Sequence, residues 1–106
     1  MMQELWSAVD QYITELLVGS DAVLDATLRA NADAGLPPHD VSANQGKFLH
    51  LLAKIQGARK ILEIGTLGGY STLWLARALP NDGCIITIES DPRHAEVART
   101  NIRRAG

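Results

Sequence analysis

Apolar residues in the first part of the chain recur at helical spacing: Leu5, Trp6, Val9, Ile13, Leu16 and Leu17 share one stripe, and the stretch closes at Gly19. This period predicts an amphipathic helix whose apolar face needs a partner. A second helix is expected from Ser20 or Asp21 as N-cap through Leu24 and Leu28, stopping at Gly35 before the turn Leu36-Pro37-Pro38. Ser42-Ala43-Asn44-Gln45 then has the capping-box form, in which a Ser hydroxyl and a Gln amide satisfy orphan N–H groups at a helix start. The third helix carries Phe48, Leu49, Leu52 and Ile55 on one face and ends near Gly57. Residues 1–57 therefore read as a helical segment.

From Lys60 the pattern changes. Ile61-Leu62-Glu63-Ile64 is a short apolar run rich in β-branched residues and closed by glycine, which predicts a strand. Ser71 to Leu79 reads as a helix, Pro80-Asn81-Asp82-Gly83 as a turn, and Cys84-Ile85-Ile86-Thr87-Ile88 as a second buried strand ending at Glu89. Asp91 is placed to cap a last helix with Pro92 at its first position, and Arg99, Arg103 and Arg104 suit the dipole of its final turns. The result is an α/β chain: N-terminal helices followed by a βαβα unit, which calls for a parallel sheet with a right-handed crossover.

Composition narrows the function classes. A chain of 106 residues with 46% apolar content suits one domain with a single core. Ten basic and twelve acidic residues give a formal charge of -2 without a block of either sign, so nucleic acid is not an expected partner. No apolar run approaches the roughly 18 residues a spanning helix needs, and Glu4 stands where a secretory signal would be basic; the expectation is a cytoplasmic protein with no membrane partner. The lone Cys84 reads as a small apolar residue in a buried strand. His39, His50 and His94 lack metal-ligand spacing and read as loop or helix-surface residues. Trp6 and Trp74 read as core, and Tyr70 as packing beneath the neighbouring loop.

The candidate chemistry lies at the strand ends. Gly65-Thr66-Leu67-Gly68-Gly69 links the first strand to its helix, where open α/β sheets bind ligands beyond the carboxyl ends of their strands. A nicotinamide fingerprint has the form G-x-G-x-x-G; here the glycines fall as G-x-x-G-G, which weakens a pyrophosphate reading. Glu89 ends the second strand 24 residues after Gly65, where a carboxylate can accept hydrogen bonds from both hydroxyls of an unphosphorylated ribose. Blander roles stand beside these: Glu63 capping a helix or pairing with Lys60, Ser71 as a helix N-cap, and Glu89 as an idle surface carboxylate.

The segment from Val41 to Gly106 resembles the start of the catechol and caffeoyl-CoA O-methyltransferase family. The resemblance rests on Val41-Ser42 with Gln45-Gly46, Ile61 to Gly65, Gly69-Tyr70-Ser71, and Ile86-Thr87-Ile88-Glu89 followed by Asp91-Pro92. It implies a Rossmann-like class I methyltransferase fold, with residues 58–106 as the start of the S-adenosylmethionine-binding domain and an incomplete βαβα portion of its sheet. It also implies that Val41 contacts the cofactor through its backbone and that Glu63 lies near the methionine ammonium. Gly65 and Thr66 would line the methionine part, with Gly69 in the same loop. Ser71 would meet the cofactor carboxylate, and Glu89 the ribose. Leu67 stands where some relatives carry an aromatic residue.

The same resemblance implies methyl transfer to a hydroxyl of a small aromatic acceptor, catechol-like or hydroxycinnamoyl, by a homodimer that uses a divalent cation such as magnesium. The family's metal ligands and catalytic lysine have no counterpart among these residues, so the chain is expected to be a fragment or one piece of a larger assembly. Two other readings compete: a noncatalytic fragment that binds cofactor or dimerises, and a nicotinamide-dependent oxidoreductase fragment.

Overall fold

The computed structural model describes Met1–Gly106 as α1 (Met2–Ile13), a π-helical turn (Thr14–Val18), α2 (Ala22–Asp33), α3 (Ala43–Gln56), β1 (Lys60–Ile64), α4 (Tyr70–Ala76), β2 (Cys84–Ile88) and α5 (Pro92–Ala105). The first helix therefore reaches Gly19 as expected, but its last turn is π-wound. The Asp10 carbonyl accepts from the Thr14 hydroxyl at 2.8 Å and from Asn44 Nδ2 at 2.9 Å in addition to the regular bond from the Thr14 N–H. Gly19, at φ 69°, closes the turn by donating its N–H to the Thr14 carbonyl.

The caps follow the side-chain chemistry. Asp21 accepts from the Val23 and Leu24 N–H groups and starts α2; Asp91 does the same for Arg93 and His94 at the start of α5, with Pro92 following it. Ser42 accepts from the Gln45 N–H at 3.1 Å, but the Ser42 N–H does not donate in return to the Gln45 side chain, so only half of the capping box forms. Helix α4 starts one residue earlier than the expected Ser71 and ends sooner, at Ala76.

Strands β1 and β2 are parallel, in a register that sets Glu63 beside Thr87 and Ile64 beside Ile88. Only one sheet face is covered. Ile61, Glu63, Ile85 and Thr87 are partly buried, whereas Leu62, Ile64, Ile86 and Ile88 are 52–81% exposed. The expectation of fully buried strands is corrected accordingly, and with it that for Cys84, which lies in the exposed row of β2.

The core joins α2 to α4. Leu24, Tyr70, Leu73 and Trp74 form its centre, flanked by Val18, Val23, Leu28, Val41 and Ala105. Burying a side chain such as Leu24 contributes about 2 kcal/mol. Trp74 reaches this core because Gly46 of α3 leaves room: a Cβ at position 46 would lie 2.3 Å from the indole. Trp6 does not join it and is 58% exposed, contrary to expectation, since α1 buries no residue. No helix is long and apolar enough to cross a membrane.

Candidate functional site

The loop from Gly65 to Gly69 leaves β1 through three left-handed residues: Gly65 at φ 92°, Leu67 at φ 51° and Gly69 at φ 90°. Gly65 extends the sheet by donating its N–H to the Ile88 carbonyl at 2.8 Å, and Gly69 donates to the Thr66 carbonyl at 3.0 Å. Gly68 has a different reason to be glycine. A Cβ there would meet the Asn31 side chain at 1.9 Å, so the missing side chain makes room for α2. Gly69 faces α5, where a Cβ would lie 3.6 Å from that of Ala98, and it is the N-cap of α4.

Glu63 sits under this loop as a common acceptor. Its carboxylate takes the hydroxyl protons of Ser71 at 2.6 Å, Thr72 at 2.5 Å and Thr87 at 2.8 Å. The Thr66 and Thr87 hydroxyls are 2.5 Å apart, and because Thr87 donates to Glu63, Thr66 must be the donor of that pair. The chain Thr66 to Thr87 to Glu63 thus ties loop, β2 and β1 together. Lys60 makes no ion pair with Glu63; three residues apart on a strand, the two point to opposite faces. Ser71 is the second residue of α4 rather than its cap, because the left-handed Gly69 already holds that position.

Glu89 is anything but idle. Its Oε1 accepts from the Leu67 N–H at 2.8 Å and its Oε2 from the Asp91 N–H at 3.0 Å, so one carboxylate clamps the glycine loop to the turn after β2. The Asp91 and then the Leu67 N–H hold its pKa below the ordinary value, against a smaller opposing effect of burial. His94 Nδ1 stands 3.7 Å from Glu89 with 16% of its side chain exposed. His50 Nδ1 is 3.0 Å from the Trp74 carbonyl, its ring edge-on to the indole. Neither is the plain surface residue expected.

Two hollows adjoin these groups. One of about 110 Å³ is lined by Asp40, Val41, Gly65, Thr66, Leu67 and Ser71 among others. The other, about 420 Å³, is bordered by Thr66, Thr87, Glu89, Ala95 and Arg99. Of the seven residues singled out by sequence, Val41, Gly65, Thr66 and Ser71 converge on the first and Glu89 with Thr66 on the second. Glu63 supports both from below, and Gly69 lines neither.

Sequence reasoning passed over Thr72, Thr87, Asn31, Asp40 and Asn101. The register could have revealed Thr87, a lone polar residue in an apolar strand directly beside Glu63. Asn31 and Asn101 carry no such signal. No group of three His, Cys, Asp or Glu side chains converges to hold a metal, so the divalent cation implied by the resemblance has no donor set among these residues.

The arrangement matches known proteins closely. A model of the O-methyltransferase family covers residues 15–106. The chain is 54% identical over 106 residues to a catechol O-methyltransferase of Niastella koreensis, covering all of this chain and 48% of that protein. It superposes at TM-score 0.94 and 59% identity on an O-methyltransferase from Bacillus cereus solved in complex with SAH, covering 96% of this chain and 46% of the other. The O-methyltransferase TomG from Streptomyces achromogenes, solved in complex with SAM, matches at TM-score 0.92 and 52% identity over all of this chain and 48% of its own. The chain spans about half the length of the relatives it matches. Its architecture is that of the N-terminal part of a class I, Rossmann-like methyltransferase fold. The chain belongs to the O-methyltransferase family.

Proposed function

We propose that the chain supplies the cofactor-binding part of an S-adenosylmethionine-dependent O-methyltransferase whose acceptor is a hydroxyl of a small, catechol-like aromatic. Two observations on relatives support the class: solved neighbours at 52–59% identity carry SAM or SAH, and the Niastella relative is a catechol O-methyltransferase. The observation that carries the reading here is Glu89, an ionised acceptor at the end of β2 held beside a ligand-sized hollow.

S-adenosylmethionine, when bound, supplies an electrophilic methyl group on a good leaving group. The residues of this chain bind and orient it. A carboxylate offers about four acceptor positions. Two of those on Glu89 take backbone N–H groups, which leaves two for ribose hydroxyls. Three of those on Glu63 take hydroxyls, which leaves one for an ammonium group. Val41, Gly65, Thr66 and Ser71 wall the smaller hollow, where the methionine part would lie, while Gly69 fixes the start of α4 behind it. The divalent cation of the family has no donor set among these residues. Pairing of two copies would use the exposed Leu5, Val9 and Ile13 face of α1.

Calorimetry with S-adenosylhomocysteine tests the reading. The chain should bind it and should not bind NAD. Glu89→Ala should weaken binding by about 1.5–3 kcal/mol, the worth of hydrogen bonds to a charged group. Binding of NAD alone would reverse the assignment, and unchanged affinity in Glu89→Ala would remove that residue from the site.

A further inference from the structure

Behind the glycine loop lies a buried polar chain that the cofactor contacts do not use. Asn101 of α5 and Asn31 of α2 are 1% and 2% exposed. Asn101 Nδ2 donates both of its protons, one to the Gly68 carbonyl at 2.7 Å and one to Asn31 Oδ1 at 2.9 Å. Arg104 donates to Asn101 Oδ1 at 2.6 Å, and Asn31 Nδ2 donates to Asp40 Oδ1 at 2.9 Å. The direction of both amides is forced. The Gly68 carbonyl can only accept, which orients Asn101; Asn101 then presents a proton to Asn31, whose own NH₂ must face the Asp40 carboxylate. All dipoles therefore run one way, from the Arg104 cation to the Asp40 anion, an alignment in which each bond polarises the next.

We propose that Asn101 is a positioning residue for the cofactor cleft. Through Gly68 it fixes the glycine loop, and through Asn31 and Asp40 it fixes the segment before Val41, so that one buried amide sets the spacing of two walls of the smaller hollow. Gly68 and Asn31 fit each other for the same purpose, since any Cβ at 68 would displace the Asn31 amide. The cofactor role rests on the reading under Proposed function; the mechanical role does not.

The test uses Asn101→Asp alone and combined with Asp40→Asn. In the single variant a carboxylate oxygen faces the Gly68 carbonyl, and the loop loses its tether. In the double variant Asn31 can turn over: its NH₂ meets the carboxylate at 101, and its oxygen accepts from the new amide at 40. The link between α2 and α5 is restored in reverse while Gly68 stays without a donor. Amide hydrogen exchange of Leu67 and Gly69 in the free chain is the deciding readout. Exchange should speed up at least about tenfold in both variants, roughly the worth of one hydrogen bond. The melting temperature should fall in the single variant and recover in the double, and S-adenosylhomocysteine affinity should drop about tenfold in both. Unchanged exchange in Asn101→Asp, or loop protection recovering together with melting temperature in the double variant, overturns the proposal. Failure of the parent chain to bind S-adenosylhomocysteine would instead sink the cofactor reading, with exchange still judging Asn101.

Discussion

Residues 1–19 and residues 60–106 use their side chains in opposite ways. The first stretch carries a continuous apolar stripe, yet α1 and its π turn bury no residue, and Leu5, Trp6, Leu16 and Leu17 are all more than half exposed. The second stretch buries Thr66, Thr72 and Asn101 to 5% exposure or less while leaving Leu62, Ile64, Ile86 and Ile88 bare. Apolar periodicity thus reports the shape of an element and not what covers it. The loop that shapes the candidate site is held by hydroxyl, amide and carboxylate groups, which hold direction as well as distance.

The two tryptophans give the sharpest way to break this comparison. Trp74→Ala should cost about 3–5 kcal/mol of stability, the usual range for removing a buried large aromatic. Trp6→Ala, at a side chain 58% exposed, should change stability by less than about 1 kcal/mol. Urea unfolding of the two variants compares them directly. Equal losses would mean that α1 is packed in solution and that the contrast is false.

A second test moves to the polar interior. Glu63→Gln replaces one acceptor oxygen by an NH₂ and removes the charge that three hydroxyls share, so a loss of about 2 kcal/mol is expected. Lys60→Gln, on the exposed row of the same strand, should be neutral within about 0.5 kcal/mol. If the two variants unfold at the same denaturant concentration, the hydroxyl cluster contributes nothing to the fold.

The line between what was legible in the sequence and what was not follows the same division. Helix caps at Asp21, Ser42 and Asp91, the two strands and the glycine turn were legible, because each depends on a local residue type at a fixed offset. The convergence of Val41 with Gly65, Thr66 and Ser71 came from family resemblance, since contacts across more than 20 residues leave no periodic trace. Trp6 and Cys84 were misplaced because an apolar residue in an apolar run says nothing about whether a neighbour covers it. Asn31 and Asn101 were invisible for the converse reason: an asparagine in a helix reads as solvent-facing until its partner 70 residues away is known.

The helical half holds one charged link to the other half that can be titrated. Asp21 caps α2 and meets Arg77 at 2.6 Å. The hydrogen bond from Arg77 holds its carboxyl below the ordinary 3.8; burial is the next largest effect and opposes it, while the Leu24 N–H and the Arg77 charge add smaller lowering effects. A lowered folded-state pKa contributes stability that is present above the unfolded value and lost as pH falls through the folded one. Stability should therefore be flat above about pH 5 and decline below about pH 4. Asp21→Ala should cost about 1 kcal/mol at neutral pH, as loss of a cap does, and should decline less steeply in acid than the parent. Parallel acid profiles for parent and variant would show that Asp21 is not one of the carboxyls responsible.

The smallest expected effect concerns sign rather than size and lies at Leu67, the one non-glycine residue with positive φ, at 51°. An L side chain there brings Cβ close to the following carbonyl and costs about 1–2 kcal/mol, whatever the rest of the side chain does. The Leu67 N–H donates to Glu89, which holds the strained residue in place. Comparing Leu67→Ala with Leu67→Gly removes the longer side chain in both and isolates the Cβ. Glycine releases the strain but raises the entropy of the unfolded chain, worth about 0.5–1 kcal/mol in the other direction. The glycine variant should thus be the more stable of the two by about 0.5 kcal/mol. At Ala26, in the interior of α2, the same exchange of alanine for glycine should cost about 1 kcal/mol, because helical φ carries no strain to release. Thermal unfolding of both pairs checks the reversal, and an alanine variant at 67 more stable than the glycine one would mean that the loop relaxes out of the left-handed conformation and that Glu89 does not hold it.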